Sequence, residues 1–363
     1  MLVAKICLTG GPCGGKTTAL SKIEREFTDM GYKVFIINEI ATRFINSGIK
    51  PFGEDSISML DFEDILLKEQ LTEEESFEKA ANLLDKKCII LCDRGIFDIK
   101  SFLSKEEFDN LLNKYNLSKL KLMDNYDLVI HLNTAAKGAE KFYTNENNKA
   151  RSEGLKEAII RDYKCEDAWS FHNNFKVIDN STDFERKVQR VVDTIKEHFK
   201  TPTKQQRKYL VNLKDGALSE LNKREVTSIK IKQTYLSTDK DCEIRLRKRT
   251  LEDGSTYYIT VKKKDYGKEK IIVEEKIDKK VYERLLAQKD IINEVNKERV
   301  SFVYDESICK LDHFEDDTYI LETYEGVKIP NFIEVIKDVT NDENYYNINI
   351  KTKGTCFKKK NLI

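Results

Sequence analysis

The residues Gly10-Gly11-Pro12-Cys13-Gly14-Gly15-Lys16-Thr17 satisfy the spacing G-x-x-x-x-G-K-S/T. They follow the apolar run Ile6-Cys7-Leu8 and lead into Thr18-Ala19-Leu20-Ser21-Lys22-Ile23, which reads as a helix. Strand, glycine-rich loop and helix in that order build an anion cradle. Glycines let the backbone turn tightly enough for successive N–H groups to face one phosphate. The helix start adds unpaired N–H groups and the positive end of its dipole. Lys16 supplies a mobile charge for the β- and γ-phosphates, and the Thr17 hydroxyl is a ligand for Mg²⁺. Gly10 to Thr18 are therefore the expected contacts of a nucleoside triphosphate.

Two further charged positions suit phosphoryl transfer. Cys88-Ile89-Ile90-Leu91-Cys92 is an apolar run ending at Asp93-Arg94-Gly95. A carboxylate after such a strand holds Mg²⁺ directly or through water, and Arg94 could brace phosphate or a substrate hydroxyl. Val34-Phe35-Ile36-Ile37 ends at Asn38-Glu39, where Glu39 is placed to accept a proton from an acceptor hydroxyl. The elements that must position these groups are legible. Strands at 34–37, 88–92, 128–132 and 175–178 alternate with helices at about 17–30, 58–85, 105–115, 154–172 and 182–199. Unbroken apolar strands alternating with helices predict a parallel sheet covered on both faces. Ligands of such sheets sit beyond the strands' carboxyl ends, so the loop, Glu39 and Asp93 should converge.

After Thr201-Pro202-Thr203, a plausible linker, the pattern changes. Segments 206–213, 227–236, 242–250, 256–264, 270–277, 297–305, 308–314 and 318–325 read as short strands, most with period two, and a helix is expected over 278–293. Eight antiparallel strands predict a barrel or tunnel. Glu243, Arg245, Arg247 and Arg249 share one strand face, as do Thr260, Lys262 and Lys264, Lys230 and Lys232, and Lys297 and Arg299. Glu274, Asp312 and Glu322 are their acidic complements. Facing out, these charges make a solvated sheet; facing in, a wet cationic bore with carboxylates that could hold a metal.

Composition sets the outer limits. Lys+Arg and Asp+Glu both number 63, so no global charge draws the chain to nucleic acid or membrane. No run reaches 18 apolar residues, so no transmembrane segment is expected. The eight cysteines lack C-x-x-C or zinc spacing, which fits a reducing, cytoplasmic setting. The basic tail 356–363, with Lys358-Lys359-Lys360, reads as solvated.

The first half resembles the nucleoside-kinase-like branch of P-loop proteins, whose base follows strand two and whose acidic-Arg-Ser motif follows strand three. Glu39 and Asp93-Arg94-Gly95 match those places, with Gly95 departing from Ser. It is more similar to the AAA-type domain shared by ribosyl-nicotinamide kinase and the Trpl translocation defect proteins. Arg151-Ser152-Glu153, Ala158, Asp162, Trp169 and Val177-Ile178-Asp179-Asn180 carry that likeness. The resemblance implies a lid at 137–155 with Lys149 and Arg151 reaching the transferring phosphate, and Asn180 near the nucleotide base.

In the second half, Arg207-Lys208-Tyr209-Leu210-Val211, Arg245-Leu246-Arg247-Lys248-Arg249, Lys297-Glu298-Arg299, Lys310-Leu311-Asp312, Ile320-Leu321-Glu322 and Val339-Thr340-Asn341-Asp342 resemble the CYTH superfamily of triphosphate tunnels. That implies phosphate binding by Lys208, Lys232, Arg245, Arg247, Lys262, Lys297 and Arg299, with Glu322 on a divalent metal. The superfamily's first-strand glutamates are replaced here by Lys204-Gln205-Gln206 and its second late acid by Tyr324. Binding of polyphosphate, rather than its hydrolysis, is expected of this half. The expected architecture is an α/β P-loop domain over 1–200 followed by an α+β, eight-stranded antiparallel tunnel over 203–355, the arrangement of the Trpl translocation defect protein family. That family implies GTP and phosphoinositide headgroups as ligands. Three functions stay open: a Mg²⁺-dependent kinase or NTPase using ATP or GTP, a nucleotide-gated regulator binding a phosphorylated headgroup, and a nucleic-acid end-processing enzyme. Neutral charge and the missing glutamates count against the last.

Overall fold

Short apolar runs become the strands of the first sheet because both of their faces are covered. In the computed structural model the described residues are 3–143, 154–199, 206–236, 242–264, 270–288 and 290–350. Arg151, Lys149, most of the expected lid, the linker 201–203 and the tail 356–363 lie outside them. The chain begins β1 (Val3–Thr9), α1 (Lys16–Asp29), β2 (Lys33–Ile37), α2 (Ile40–Asn46), α3 (Met59–Asn82) and β3 (Cys88–Asp93). It continues α4 (Lys105–Lys114), α5 (Lys119–Met123), β4 (Leu128–Leu132), α6 (Leu155–Trp169), β5 (Phe175–Ile178) and α7 (Phe184–His198). The sheet has the order β2-β3-β1-β4-β5 with all pairs parallel. Ile6, Cys7, Leu8, Ile89, Ile90, Leu91, Val129 and Ile130 are fully buried in it. Burial of this kind, at ~25 cal/mol per Å² of apolar surface, is the main force holding the layers together.

The later chain runs β6 (Gln206–Leu213), α8 (Ala217–Lys223), β7 (Ser228–Leu236), β8 (Cys242–Leu251), β9 (Gly254–Lys264), β10 (Lys270–Ile277) and α9 (Lys279–Gln288). It then forms β11 (Ile291–Tyr304), β12 (Ser307–Phe314), β13 (Tyr319–Tyr324) and β14 (Ile333–Asp338). Contacts divide the chain into two compact units, one holding the described residues through Ser118 with Leu122–His198, the other Lys119–Lys121 with those from Phe199 onward. The second unit is an antiparallel sheet of nine strands, ordered β10-β9-β8-β7-β11-β12-β13-β6-β14.

Three details differ from the sequence pattern. β14 is a ninth strand, unrecognised because five of its six residues are exposed and show no alternation of burial. The helix expected to 293 stops at Gln288. Ile291 and Asn293 instead pair with Leu236 and Tyr235 of β7, so β11 begins six residues ahead of the strand expected at 297–305. Among the described residues β10 and β14 are edges, so strand pairing does not close the sheet into a ring.

Candidate active site

The turn after β1 is held open by steric necessity. Gly10 has φ of 131°, and a Cβ there would stand 2.2 Å from the Leu132 carbonyl oxygen at the end of β4. Gly15, with φ of 92°, is the left-handed residue that starts α1. Cys13 has φ of 56°, a costly conformation for a side-chain-bearing residue and one that persists where function selects it. Lys16 folds over this loop, its Nζ donating to the carbonyl oxygens of Gly10 and Gly11 at 3.0 Å each. Burial is the largest influence on the Lys16 ammonium and, with Arg94 nearby, lowers its pKa. Thr17 and Thr18 remain exposed at the first turn of α1.

The carboxyl ends of β2 and β3 bring the remaining groups to this loop. Glu39 Oε1 accepts from Arg94 Nε at 2.5 Å, and its Oε2 accepts from Thr42 Oγ1 at 2.6 Å. Burial opposes the Glu39 charge, but Arg94 and Lys16 outweigh it and bring the pKa down to about 2. Arg94 Nη1 also donates to Asp98 Oδ1 at 3.0 Å and to the Gly10 carbonyl at 3.2 Å. Arg94 is held with φ of 72°, so this fork is set by a strained backbone. Asp93 is 7% exposed, and its Oδ1 has no hydrogen-bond partner among the described residues. Burial raises its pKa to about 6, with the Lys16 charge acting in the opposite direction.

Gly14, Gly15, Lys16, Thr17, Thr18, Glu39, Asp93 and Arg94 line one cavity of about 840 Å³, together with Pro12 and Cys13. The expected convergence therefore occurs. Asp93, whose buried Oδ1 has no partner among the described residues, and the exposed Thr17 both line this cavity, and carboxylate and hydroxyl oxygens are of the donor type that Mg²⁺ takes alongside waters and phosphate oxygens.

Asn180 is placed elsewhere. Its Nδ2 donates to the carbonyl oxygens of Thr134 and Lys137 at 2.8 and 2.6 Å, and its Oδ1 accepts from Lys187 Nζ at 2.7 Å. It buttresses the turn after β4 and does not line the cavity. Burial lowers the Lys187 pKa to about 8.

Sequence reasoning gave no chemical role to the residues that brace the loop. Asp162 of α6 accepts from the backbone N–H groups of Gly11 (2.7 Å) and Thr134 (3.1 Å), and its other oxygen lies 2.9 Å from Lys137 Nζ and 3.3 Å from His131 Nε2. Burial opposes this charge, but His131 and Lys137 hold the carboxyl well below the usual range. Asp98 ties Thr9, Gly95 and Trp169 at 2.7, 3.0 and 3.0 Å. Only its place three residues after Gly95 hinted at a cap.

In the second unit, register places Arg245, Arg247, Lys262, Lys297, Arg299 and Lys208 on one face of the sheet. Lys232 is not among them: it stands opposite Lys248 and Asn296 on the other face, 2.9 Å from Glu294. The one-residue offset from Gln233, which does face Arg247, decides this. Asp312 accepts from Lys297 at 2.6 Å and from Arg299 at 2.6 and 2.7 Å. Glu322 bridges Arg299 at 2.7 Å and Lys208 at 3.4 Å. Glu274 takes Arg245 and Arg247 at 3.4 and 3.1 Å, and Glu243 takes Lys262 at 3.0 Å. Glu322 thus stands as the counter-ion of Arg299 and Lys208, and no group of three His, Cys, Asp or Glu residues that could hold a metal occurs among the described residues. No described helix is long and apolar enough to cross a membrane.

A family described as AAA domain matches residues 5–187, a little over half of the chain. No curated protein matches. Among solved structures, the PH1819 protein of Pyrococcus horikoshii OT3 is 17% identical, with 34% of this chain and 78% of that one covered and a TM-score of 0.27. PH1012 of the same organism is 16% identical over 34% and 80%, with a TM-score of 0.25. A conserved hypothetical protein of Pyrococcus furiosus, Pfu-838710-001, is 18% identical over 36% and 82%, also with a TM-score of 0.25.

Proposed function

The chain belongs to the AAA-domain family, and from that premise we propose that it binds a Mg²⁺–nucleoside triphosphate, ATP or GTP, and transfers the γ-phosphoryl group to a small hydroxyl-bearing acceptor. The observation that carries this reading is one cavity holding the glycine loop, Lys16, Glu39, Asp93 and Arg94 together. The loop N–H groups and Lys16 would cradle the β- and γ-phosphates, with Lys16 exchanging its carbonyl partners for phosphate oxygens. Thr17 and Asp93 would hold Mg²⁺, which when bound neutralises charge on those oxygens. Glu39 would take the acceptor's proton. Because Arg94 and Lys16 stabilise its charge, it remains ionised at neutral pH and acts chiefly by orienting the hydroxyl, as phosphoryl transfer demands little of a base. Arg151 would reach the transferring group from the lid.

Calorimetry with ATP and GTP, with and without Mg²⁺, followed by turnover with candidate acceptors, tests this. Binding with Kd below about 100 μM that Lys16→Ala weakens at least tenfold is expected. Absence of binding by both nucleotides would refute it.

A second reading concerns the other unit. The shared cationic face supports a CYTH-like site for a polyphosphate or phosphorylated headgroup, in an arrangement like that of the Trpl translocation defect proteins. Tripolyphosphate and phosphoinositide binding, compared with an Arg245→Ala/Arg247→Ala variant, tests it. Equal binding by both proteins would exclude that face.

A further inference from the structure

Asp162 does more than fasten two loops. Its Oδ1 accepts from Gly11 N at 2.7 Å, and that N–H belongs to the same peptide unit as the Gly10 carbonyl. The unit is trans, as no cis bond occurs among the described residues, so its N–H and C=O point opposite ways. On the far side from Asp162, the Gly10 oxygen accepts from Lys16 Nζ at 3.0 Å and from Arg94 Nη1 at 3.2 Å. One peptide therefore stands between an anion at its donor end and two cations at its acceptor end. Charge at either end polarises the peptide and strengthens the bonds at the other.

The packing is made for this contact. Gly11 has no left-handed φ to require a glycine, yet a Cβ there would stand 2.9 Å from both Cβ and Oδ1 of Asp162. The missing side chain is what lets α6 come so close. Asp162 is fully buried, and burial opposes its charge, but His131 and Lys137 outweigh it and keep the carboxylate ionised. The same oxygen takes Thr134 N at 3.1 Å, while Thr134 Oγ1 donates to Pro12 O at 2.5 Å and Ala135 N to Cys13 O at 3.2 Å. With the loop's outer edge fastened in this way to the turn after β4, the direction of the Gly10–Gly11 peptide decides where Lys16 rests.

We propose that Asp162 is a positioning residue for triphosphate binding, acting through the Gly10–Gly11 peptide to fix where Lys16 and Arg94 stand. It does not line the cavity, so it acts on the ligand only at second hand. When Lys16 exchanges carbonyl for phosphate oxygens, Arg94 and Asp162 remain to hold the peptide. Without an acceptor at position 162 the peptide can rotate, and its N–H would then face the two cations. This rests on the nucleotide-binding reading of the same cavity.

The test uses the full chain. Calorimetry of the native protein with ATP and GTP in the presence of Mg²⁺ judges the parent reading by itself. Asp162→Asn and Asp162→Ala both remove the charge, but only Asn keeps an acceptor oxygen for Gly11 N. Comparing the two cancels the change in field and isolates the direction of the peptide. Asp162→Ala is expected to bind nucleotide at least about tenfold more weakly than Asp162→Asn. In protein carrying ¹³C-carbonyl, ¹⁵N-labelled glycine, only Gly11 and Gly15 follow another glycine, so the Gly11 amide can be read directly. Its proton resonance should move upfield in Asp162→Asn, as a charge-assisted bond becomes a neutral one. It should also move upfield in Lys16→Met, which alters only the carbonyl end and which a merely structural brace would not register. Nucleotide binding by the native protein with equal affinity in Asn and Ala, or a Gly11 resonance unmoved by Lys16→Met, overturns the inference and leaves the parent reading standing. Should Asp162→Ala not fold, as judged by circular dichroism, the Gly11 resonance decides. Failure of ATP and GTP alike to bind the native protein overturns both.

Discussion

Glu39 and Asp93 stand in one cavity, yet their surroundings push them apart. Arg94 and Lys16 bring Glu39 down to about 2, whereas burial lifts Asp93 to about 6 and Glu63 to about 8. Glu63 has a consequence for stability. Between its ordinary value of 4.5 and about 8, the folded chain keeps a proton that the unfolded chain has released. Its contribution is thus complete below pH 4.5 and is lost as pH rises through 8. Urea unfolding of the native protein should weaken from pH 5 to pH 9 by on the order of 2–4 kcal/mol more than Glu63→Gln does. Equal slopes would place Glu63 in water. At this scale the positions of Lys16 and Thr17 were legible from a loop of fixed spacing, and that of Asp93 from the apolar run it ends. Asn180 was not: its amide is consumed by the Thr134 and Lys137 carbonyls, and sequence does not reveal which way a loop amide turns.

Elements rather than residues decide how rigid the loop is. Gly10 sits against the Leu132 carbonyl at the end of β4, so the phosphate loop and the neighbouring strand share one close backbone approach. Gly10→Ala would drive a methyl group to 2.2 Å from that oxygen, at a left-handed φ. A loss of about 3 kcal/mol or more in chemical unfolding is expected, with nucleotide affinity lowered as well. A fully stable Gly10→Ala would mean that the strand end yields easily. The Ser58 cap of α3 is a milder case. Its Oγ accepts from Asp61 N at 3.1 Å, so Ser58→Ala should cost about 1 kcal/mol and loosen the helix that carries Glu63. Strands and helices were largely readable from periodicity. Asp162 was readable only as part of a family likeness, since nothing in an α-helical pattern says that one acid will cap the N–H of Gly11. β14 escaped because an exposed edge strand needs no apolar face.

The whole molecule is two compact units, each with its own sheet and core. Their stabilities should separate under mutation. Asp312, 1% exposed, neutralises Lys297 and Arg299. Asp312→Ala would leave the buried Lys297 without its counter-ion and Arg299 with Glu322 alone, at a cost of about 3–5 kcal/mol. Scanning calorimetry should show the transition of the second unit falling, while ATP or GTP still raises the transition of the first. Loss of nucleotide binding in that variant would show that the units do not fold independently. The parallel sheet and the antiparallel one were both foreseeable from their contrasting patterns. Glu274, Asp312 and Glu322 were legible as acidic complements, but which cation each one meets was not, because that depends on register across several strands.

That pairing has a thermodynamic corollary. Glu274, Asp312 and Glu322 are all held below the ordinary carboxylate range, burial notwithstanding, by the arginines and lysines they neutralise. Glu274 stays exposed, but a polyanion that took those cations would strip Asp312 and Glu322 of their partners where little water reaches them. They would then have to gain protons or a divalent cation, so occupancy of that face would be coupled to uptake of one or the other. Its apparent enthalpy would change with the ionisation heat of the buffer, and its affinity would rise as pH falls.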